Sequence, residues 1–508
     1  MRFLQKSNLA VLLLCAAPVA AWADGIGPFV NSVNSANAAE GHPADVFSSD
    51  FSATAVLTGS DPIENPSGPI TTFGNLETGT NTNPDQNLYL VFDGKLKGPT
   101  PKYNYGHHFL IQGHEMGGDL AYVTRINLDV ADPAHRITLL TPVGGDGLTH
   151  FNSIDGSAYY SFKNALLFTQ EKGGAEGGVF EVSMNWPSKV TTHYGSMGVC
   201  SLEGIHPDDQ GRVYMVEDAS GMSVSNDPNN IDGEEKVAKQ PGGYIYRFTP
   251  YDNSDLDAGK LEALQVSIDG VPLVSSGTNE KHAFADVWSQ KQVQLHSGTS
   301  FPAKWVLIHD TATDGKAPFD CKIAARRADA TPFKRPENGT FRPDGTFRNF
   351  VFATTGDTNN LSGSVPGLAQ RGAWGALFQI SLNENRQDGT INLLALGDST
   401  HNSFDNVSWG DSNTILTTED RGDTLHDQLD TLDSVWAYPL GALTSPLRVV
   451  ALGRDKSATP DNKEDNEPTG VFVSNGTDQY GTVANMTGAR GFVTKQHGDN
   501  TIYELVHK

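Results

Sequence analysis

The 508-residue chain is poor in cysteine and in positive charge, and it has no long apolar run beyond its first two dozen residues. Each shortage excludes something. Of the 3 cysteines, Cys15 lies in the leader, leaving Cys200 and Cys321 for one disulfide in an oxidising compartment or for two free thiols. Only 36 Lys and Arg stand against 60 Asp and Glu, a formal net charge of −24. Nucleic acid and anionic membrane both need a basic footprint, so neither is an expected partner. Cations are favoured instead. Long amphipathic helical patterns are missing, as are a G-x-S-x-G elbow, a Walker loop, a Cys/His zinc spacing and H-E-x-x-H.

What is present begins with a leader. Arg2 and Lys6 precede an apolar run from Leu9 to Val19, and Ala21-Trp22-Ala23 supplies an A-x-A cleavage site. Residues 1–23 therefore read as a Sec signal peptide, too short for a membrane anchor. The expected destination is the periplasm or the extracellular space. Residues 24–84 are rich in Ser, Asn, Thr, Gly and Pro and read as a loosely structured lead-in.

From 85 to 508 a unit repeats: a short apolar strand ending in a polar or acidic cluster, then a turn or insertion, then a returning strand. Ala165–Thr169 leads to Glu171, Val213–Val216 to Glu217-Asp218, Phe350–Ala353 to Asp357, and Ile415–Thr418 to Glu419-Asp420. His108–Ile111 leads to His114-Glu115, and Phe492–Thr494 to His497. Six such units, with 53 Gly and 27 Pro marking turns, point to an all-β, six-bladed β-propeller. A pair of β-sandwiches is the alternative. Insertions at 219–241 and 270–330 would be loops on the faces, and the three histidines His107, His108 and His114 read as structural or surface residues.

Four units open on an acid: Asp155-Gly156, Glu203-Gly204, Glu337-Asn338 and Asp405-Asn406. Glu467-Pro468-Thr469-Gly470 is a fainter fifth copy. In a propeller, equivalent residues of the inner strands gather at one mouth of the axial channel. Carboxylates so gathered repel unless cations sit among them. All-oxygen ligands suit Ca²⁺ or another hard cation better than Zn²⁺. Of the acids that close the next strands (Glu171, Glu217-Asp218, Glu419-Asp420), some would add ligands and others would cap turns.

At these residues the sequence resembles the PhoX-type bacterial alkaline phosphatases and their uncharacterised relatives. Arg335-Pro336-Glu337 resembles the family's R-P-E signature, with a P-D-G turn following at Pro343-Asp344-Gly345. Leu202-Glu203-Gly204 through Glu217-Asp218 is similar to its H-E-G…V-Y-x-x-E-D segment, and Phe404-Asp405-Asn406 to its P-D-N. His114-Glu115 and Gln496-His497-Gly498 match its early and late motifs, so the resemblance spans roughly 85–508. It implies axial Ca²⁺ and iron, hydrolysis of phosphate monoesters, Glu171, Glu203 and Glu337 as metal ligands, and Arg335 on the transferring phosphoryl group. The family's iron-binding Cys has no counterpart, its place falling near Asp155; the His before the second Glu is Leu202, and the leader lacks twin arginines. Ca²⁺ is thus the expected ion. The expected metal ligands are Asp155, Glu171, Glu203, Glu337 and Asp405, with Arg335 as the catalytic residue, a small phosphorylated substrate and a monomeric protein. A calcium-dependent lactonase-like hydrolase and a non-enzymatic, calcium-stabilised propeller are the competing functions.

Overall fold

Strands too short to stand alone pair mostly with their sequence neighbours, and this local antiparallel pairing organises most of the described residues. The computed structural model describes residues 24–34, 44–74, 82–92, 96–172, 177–274, 286–357, 359–420, 432–453, 466–477 and 486–508. The expected signal peptide, 1–23, lies outside them. The architecture is all-β and propeller-like, with only short helices. Among the described residues, no helix is long and apolar enough to cross a membrane.

Six strands line the axis: β1 (Asn83–Val91), β2 (Ile154–Tyr160), β3 (Leu202–Pro207), β4 (Pro336–Phe341), β5 (Phe404–Asp411) and β6 (Pro468–Ser474). Each contacts the next, and β6 returns to β1, so the ring closes. Every one is the innermost strand of an antiparallel meander. The meanders are not six separate sheets. Four stand apart, while those starting from β3 and β4 fuse into one ten-stranded sheet through the strand Phe301–Asp310. That joining strand lies inside the stretch 270–330 that the sequence suggested was a loop. Its residues pair with Asp255–Ile268 on one side and Asp388–Leu396 on the other, which satisfies two outer edges at once.

The lead-in also differs from expectation. Phe51–Leu57 pairs with the C-terminal strand Ile502–His507, and Val46–Phe47 pairs with Leu447–Ala451. Pro62–Ser67 adds a parallel bridge to Ile137–Leu139. These N-terminal segments cover outer strand edges, and the first joins the two ends of the chain in one sheet. Its alternation of polar and apolar residues was too short to register as a strand beside so many turn formers.

The core lies between neighbouring sheets. Tyr160, Leu167 and Val179 of one sheet meet Ile205, Met215 and Tyr246 of the next, and Cys200 and Cys321 form a disulfide at that seam. Phe168 and Phe180 face the opposite neighbour, packing with Phe109 and Ile111. This two-sided burial explains why the central strands read as continuous apolar runs rather than alternating ones. It also fixes where each inner strand begins.

Candidate metal and active site

Each inner strand begins with the same local device. Two residues mark the start: an apolar or proline residue aligned with the neighbouring strand, then a polar residue at a break in register. The pairs are Pro84-Asp85, Ile154-Asp155, Leu202-Glu203, Pro336-Glu337, Phe404-Asp405 and Pro468-Thr469. In all six, register with the second strand shifts near this point. A bulge of this kind turns a side chain out of the ladder, here toward the axis. The chain enters through left-handed backbone at Ser153, Arg335 and Ser403, one residue before the aligned position (φ 42°, 45° and 50°).

Five carboxylates and one threonine thus occupy equivalent places. The second strands add another layer. Glu171, Asp420 and Gln496 each donate a backbone N–H to the residue just before the start of the inner strand (2.8–2.9 Å), and Glu115 pairs with Asn83 at the same level. Their neighbours face the other way. Glu217 accepts from Tyr246 Oη (2.7 Å) and Tyr244 N (3.2 Å), and Glu419 from Ser434 N (2.9 Å). So Glu217 and Glu419 serve the sheets, while Asp218 and Asp420 serve the axis.

The result is one open cavity lined by Asp85, Glu115, Asp155, Glu171, Glu203, Glu337, Asp405, Asp420, Glu467, Arg335 and Gln496. All six residues singled out from the sequence (Asp155, Glu171, Glu203, Arg335, Glu337 and Asp405) are there. Asp85 was missed, although Asp85-Gln86-Asn87 carries the same acid-then-amide pattern as Asp405-Asn406; it fell at the boundary with the lead-in. Glu467 lines the cavity, but Thr469 holds the equivalent ring position, two residues from the acid that the sequence pattern suggested. His114 is buried away from the axis, 2.9 Å from Thr124 Oγ1 and stacked on Tyr122.

Among the described residues, nine carboxylates face a single lining arginine. Arg335 spans the two layers: Nε and Nη2 donate to the two oxygens of Asp218 (3.2 Å each), Nη1 donates to Asp420 Oδ2 (3.2 Å), and Nη2 lies 3.3 Å from Glu337 Oε1. Burial pushes Asp218 up most strongly, but Arg335, Glu171 and Lys239 together pull the other way and hold this carboxyl below its usual range. Elsewhere repulsion adds to burial. Glu115 is pushed up to about 8, by burial first and by Asp85 next. Asp155, Glu171, Glu203, Glu337, Asp405 and Glu467 are held well above the carboxylate range, by burial and then by neighbouring charges.

Two groups converge tightly enough to share a cation. Asp85, Glu115 and Asp155 form one, Glu203, Glu337 and Asp405 the other, with ligand oxygens within 4.8 Å of one another in each. Asp155 Oδ1 is buried and has no hydrogen-bond partner, an oxygen whose natural partner is a cation. Polar neighbours fix some of the other oxygens. Gln496 Nε2 donates to Asp85 Oδ2 (2.8 Å) and Glu115 Oε2 (3.0 Å), and Asn406 Nδ2 donates to Asp405 Oδ1 (2.9 Å).

No family model and no curated protein matches the chain. Among solved structures, Pseudomonas fluorescens PhoX in complex with vanadate, a transition state analogue, aligns with a TM-score of 0.57 at 11% identity, over 95% of this chain and 97% of that one. Puromycin hydrolase (TM-score 0.32, 11% identity, 87% of this chain, 55% of that one) and PQQ-bound aldose sugar dehydrogenase from Streptomyces coelicolor (0.24, 12%, 74% and 96%) align more loosely. At such identities the PhoX likeness shows a shared propeller fold.

Proposed function

We propose that the chain is an exported, metal-dependent phosphoesterase on a six-bladed propeller, with Ca²⁺ held by the axial carboxylates. The observation that carries this reading is the meeting of two buried carboxylate triads with one arginine in a single open cavity. The donor set fits a hard cation: carboxylate oxygens throughout, with Asp155 Oδ1 lacking any other partner. It does not fit iron bound through a thiolate, because Cys200 and Cys321 are joined to each other and neither lines the cavity.

Asp85, Glu115 and Asp155 would hold one ion, and Glu203, Glu337 and Asp405 another; Glu171 stands ready beside them. Bound there, divalent cations would neutralise an ester's phosphate and polarise it toward attack. Arg335 has five N–H donors, of which three are engaged. With Nη2 also facing Glu337 Oε1 (3.3 Å), the remaining Nη1 hydrogen can take a phosphoryl oxygen while Asp218 and Asp420 fix the plane of the guanidinium. Positioning and charge stabilisation of this kind are most of what phosphoryl transfer requires.

One observation favours the competing, non-enzymatic reading: Arg335 is already committed to carboxylates, as a salt-bridge residue stapling strands would be. The deciding experiment is an assay of Ca²⁺-loaded protein on a panel of phosphate monoesters and diesters, with and without chelator. Hydrolysis that needs the metal and is lost in Arg335→Ala supports the phosphoesterase. Fully metal-loaded protein inert on the whole panel refutes it, and the stapled propeller takes its place.

A further inference from the structure

The two carboxylate triads stand on different strands, yet one side chain is bonded to both. Asn406 follows Asp405 at the start of β5, where register with the second strand breaks between Phe404 and Val407. Neither residue is committed to the ladder there, so both can face the axis. Asn406 is buried, and its amide crosses the start of β6 to reach β1. Gly470 N and Thr469 Oγ1 (2.9 Å) meet its Oδ1. A backbone N–H only donates, so the atom facing Gly470 is the oxygen and the amide nitrogen faces the carboxylates. That nitrogen donates to Asp405 Oδ1 (2.9 Å) in one triad and to Asp85 Oδ1 (3.3 Å) in the other. Gly470 makes the reach possible. Its φ is 60°, and a Cβ there would run into the Asp85 carbonyl and the Asn87 side chain, so only glycine lets β6 close on β1 at this point. Neighbouring donors serve one triad each. Gln496 Nε2 bonds Asp85 and Glu115, both of the first. Thr418 Oγ1, which accepts from Asn406 N (2.9 Å), donates to Asp405 Oδ2 (3.3 Å) of the second.

We infer that Asn406 is a positioning residue shared by both cation sites, through which the two fill as a linked pair. The inference rests on the two-cation part of the proposed function and not on phosphate chemistry. An ion in one triad fixes its carboxylate, and that carboxylate fixes the plane of the Asn406 amide. The fixed amide then holds the other carboxylate in one orientation, so this side chain is ordered once rather than twice.

The test is a calorimetric titration of metal-free, full-length protein with Ca²⁺, with elemental analysis for stoichiometry. Glu203→Gln leaves the first site for measurement and Glu115→Gln the second. In both backgrounds Asn406→Ala should weaken Ca²⁺ binding about ten- to a hundredfold, as losing a group that orients metal ligands does. Gln496→Ala should weaken the first site alone, and Thr418→Val the second alone. With both sites intact, the factor by which filling one site changes affinity at the other should become less favourable when Asn406 is lost. Repulsion between the ions is present with and without Asn406 and cancels in that comparison. Asn406→Ser leaves a hydroxyl at the seam that cannot span two carboxylates, so it reads the same split if the alanine variant is unstable; the metal-free melting temperature checks folding. A site indifferent to Asn406, or a coupling unchanged by its loss, would overturn this inference alone. Two linked ions in a protein that cleaves no phosphate ester would refute the phosphoesterase reading and sustain the linkage, and wild-type protein that binds no Ca²⁺ would refute both.

Discussion

If the axial cavity holds cations as proposed, removing them should make the protein's stability strongly dependent on pH, in the direction opposite to ordinary acid denaturation. Glu115 shows the size of the effect. Its carboxyl moves from 4.5 to about 8 in the folded protein, through burial and the charge of Asp85. Keeping it ionised in the native state thus costs on the order of 5 kcal/mol. Between those two values the folded chain binds a proton that the unfolded chain has released. Stability therefore falls as pH rises from about 4.5 to about 8, and the penalty is absent below that window. Asp155, Glu171, Glu203, Glu337, Asp405 and Glu467 shift in the same direction and add to the slope. Asp218 works the other way, but only near and below the ordinary carboxylate value of 3.8, where it loses its stabilising charge on Arg335. With an unfolding entropy of about 2.1 cal/mol/K per residue, a chain of 508 residues converts 5 kcal/mol into a fall of roughly 5 °C. The assay is a melting curve of chelated protein, verified metal-free, at several pH values across the window, beside the same protein with excess Ca²⁺. The metal should remove most of the slope and add about 2.7 kcal/mol at a hundredfold excess over Kd. A flat or rising Tm for the metal-free protein between about pH 5 and pH 8 would refute the reasoning.

Arg335→Ala should lower kcat/KM for a phosphate monoester by about a hundred- to a thousandfold, as for one preorganised donor, with metal content unchanged; Arg335→Lys keeps the charge but loses the planar fork and should fall between. Glu337→Gln should lose bound metal and activity together in elemental analysis and assay, yet its metal-free form should melt higher than metal-free wild type, because one repelling charge is gone. Replacing both Cys200 and Cys321 with Ser opens a loop with a sequence separation of 121 and should cost about 3–5 kcal/mol in denaturant unfolding, leaving Ca²⁺ binding intact.

How much of this was readable in the sequence follows from which signals repeat. Asp155, Glu203, Glu337 and Asp405 stood out because each precedes an apolar strand at one point of a repeat, and the cavity is where those points meet. Asp85 obeys the same rule but follows a stretch of turn formers, so no preceding unit framed it. The split between Glu217 and Asp218, or Glu419 and Asp420, was not readable: adjacent acids on a strand point to opposite faces, and only the register with the inner strand decides which one reaches the axis. The N-terminal strands were hidden for a related reason. Phe51–Leu57 is stabilised by Ile502–His507, a partner some 450 residues away, and nothing local announces such a pairing.

The sixth position of the ring shows how the arrangement limits its own repulsion. Thr469 stands where the other five strands carry an acid. Its hydroxyl lies 2.7 Å from Asp85 Oδ2 and 2.9 Å from Asn406 Oδ1. Asn406 Nδ2 reaches Asp405 Oδ1 (2.9 Å) and Asp85 Oδ1 (3.3 Å). A neutral donor thus separates the carboxylates at the seam where β6 meets β5 and β1. A sixth carboxylate there would add like charge in a place where hydrogen bonding already fixes Asp85. The two acid triads fall on either side of this seam, Asp85 and Asp155 toward β1 and β2, Glu203, Glu337 and Asp405 along β3, β4 and β5. Charge is therefore not spread evenly around the axis. It is gathered into two groups, each held by strands whose packing has already fixed where their first residues lie.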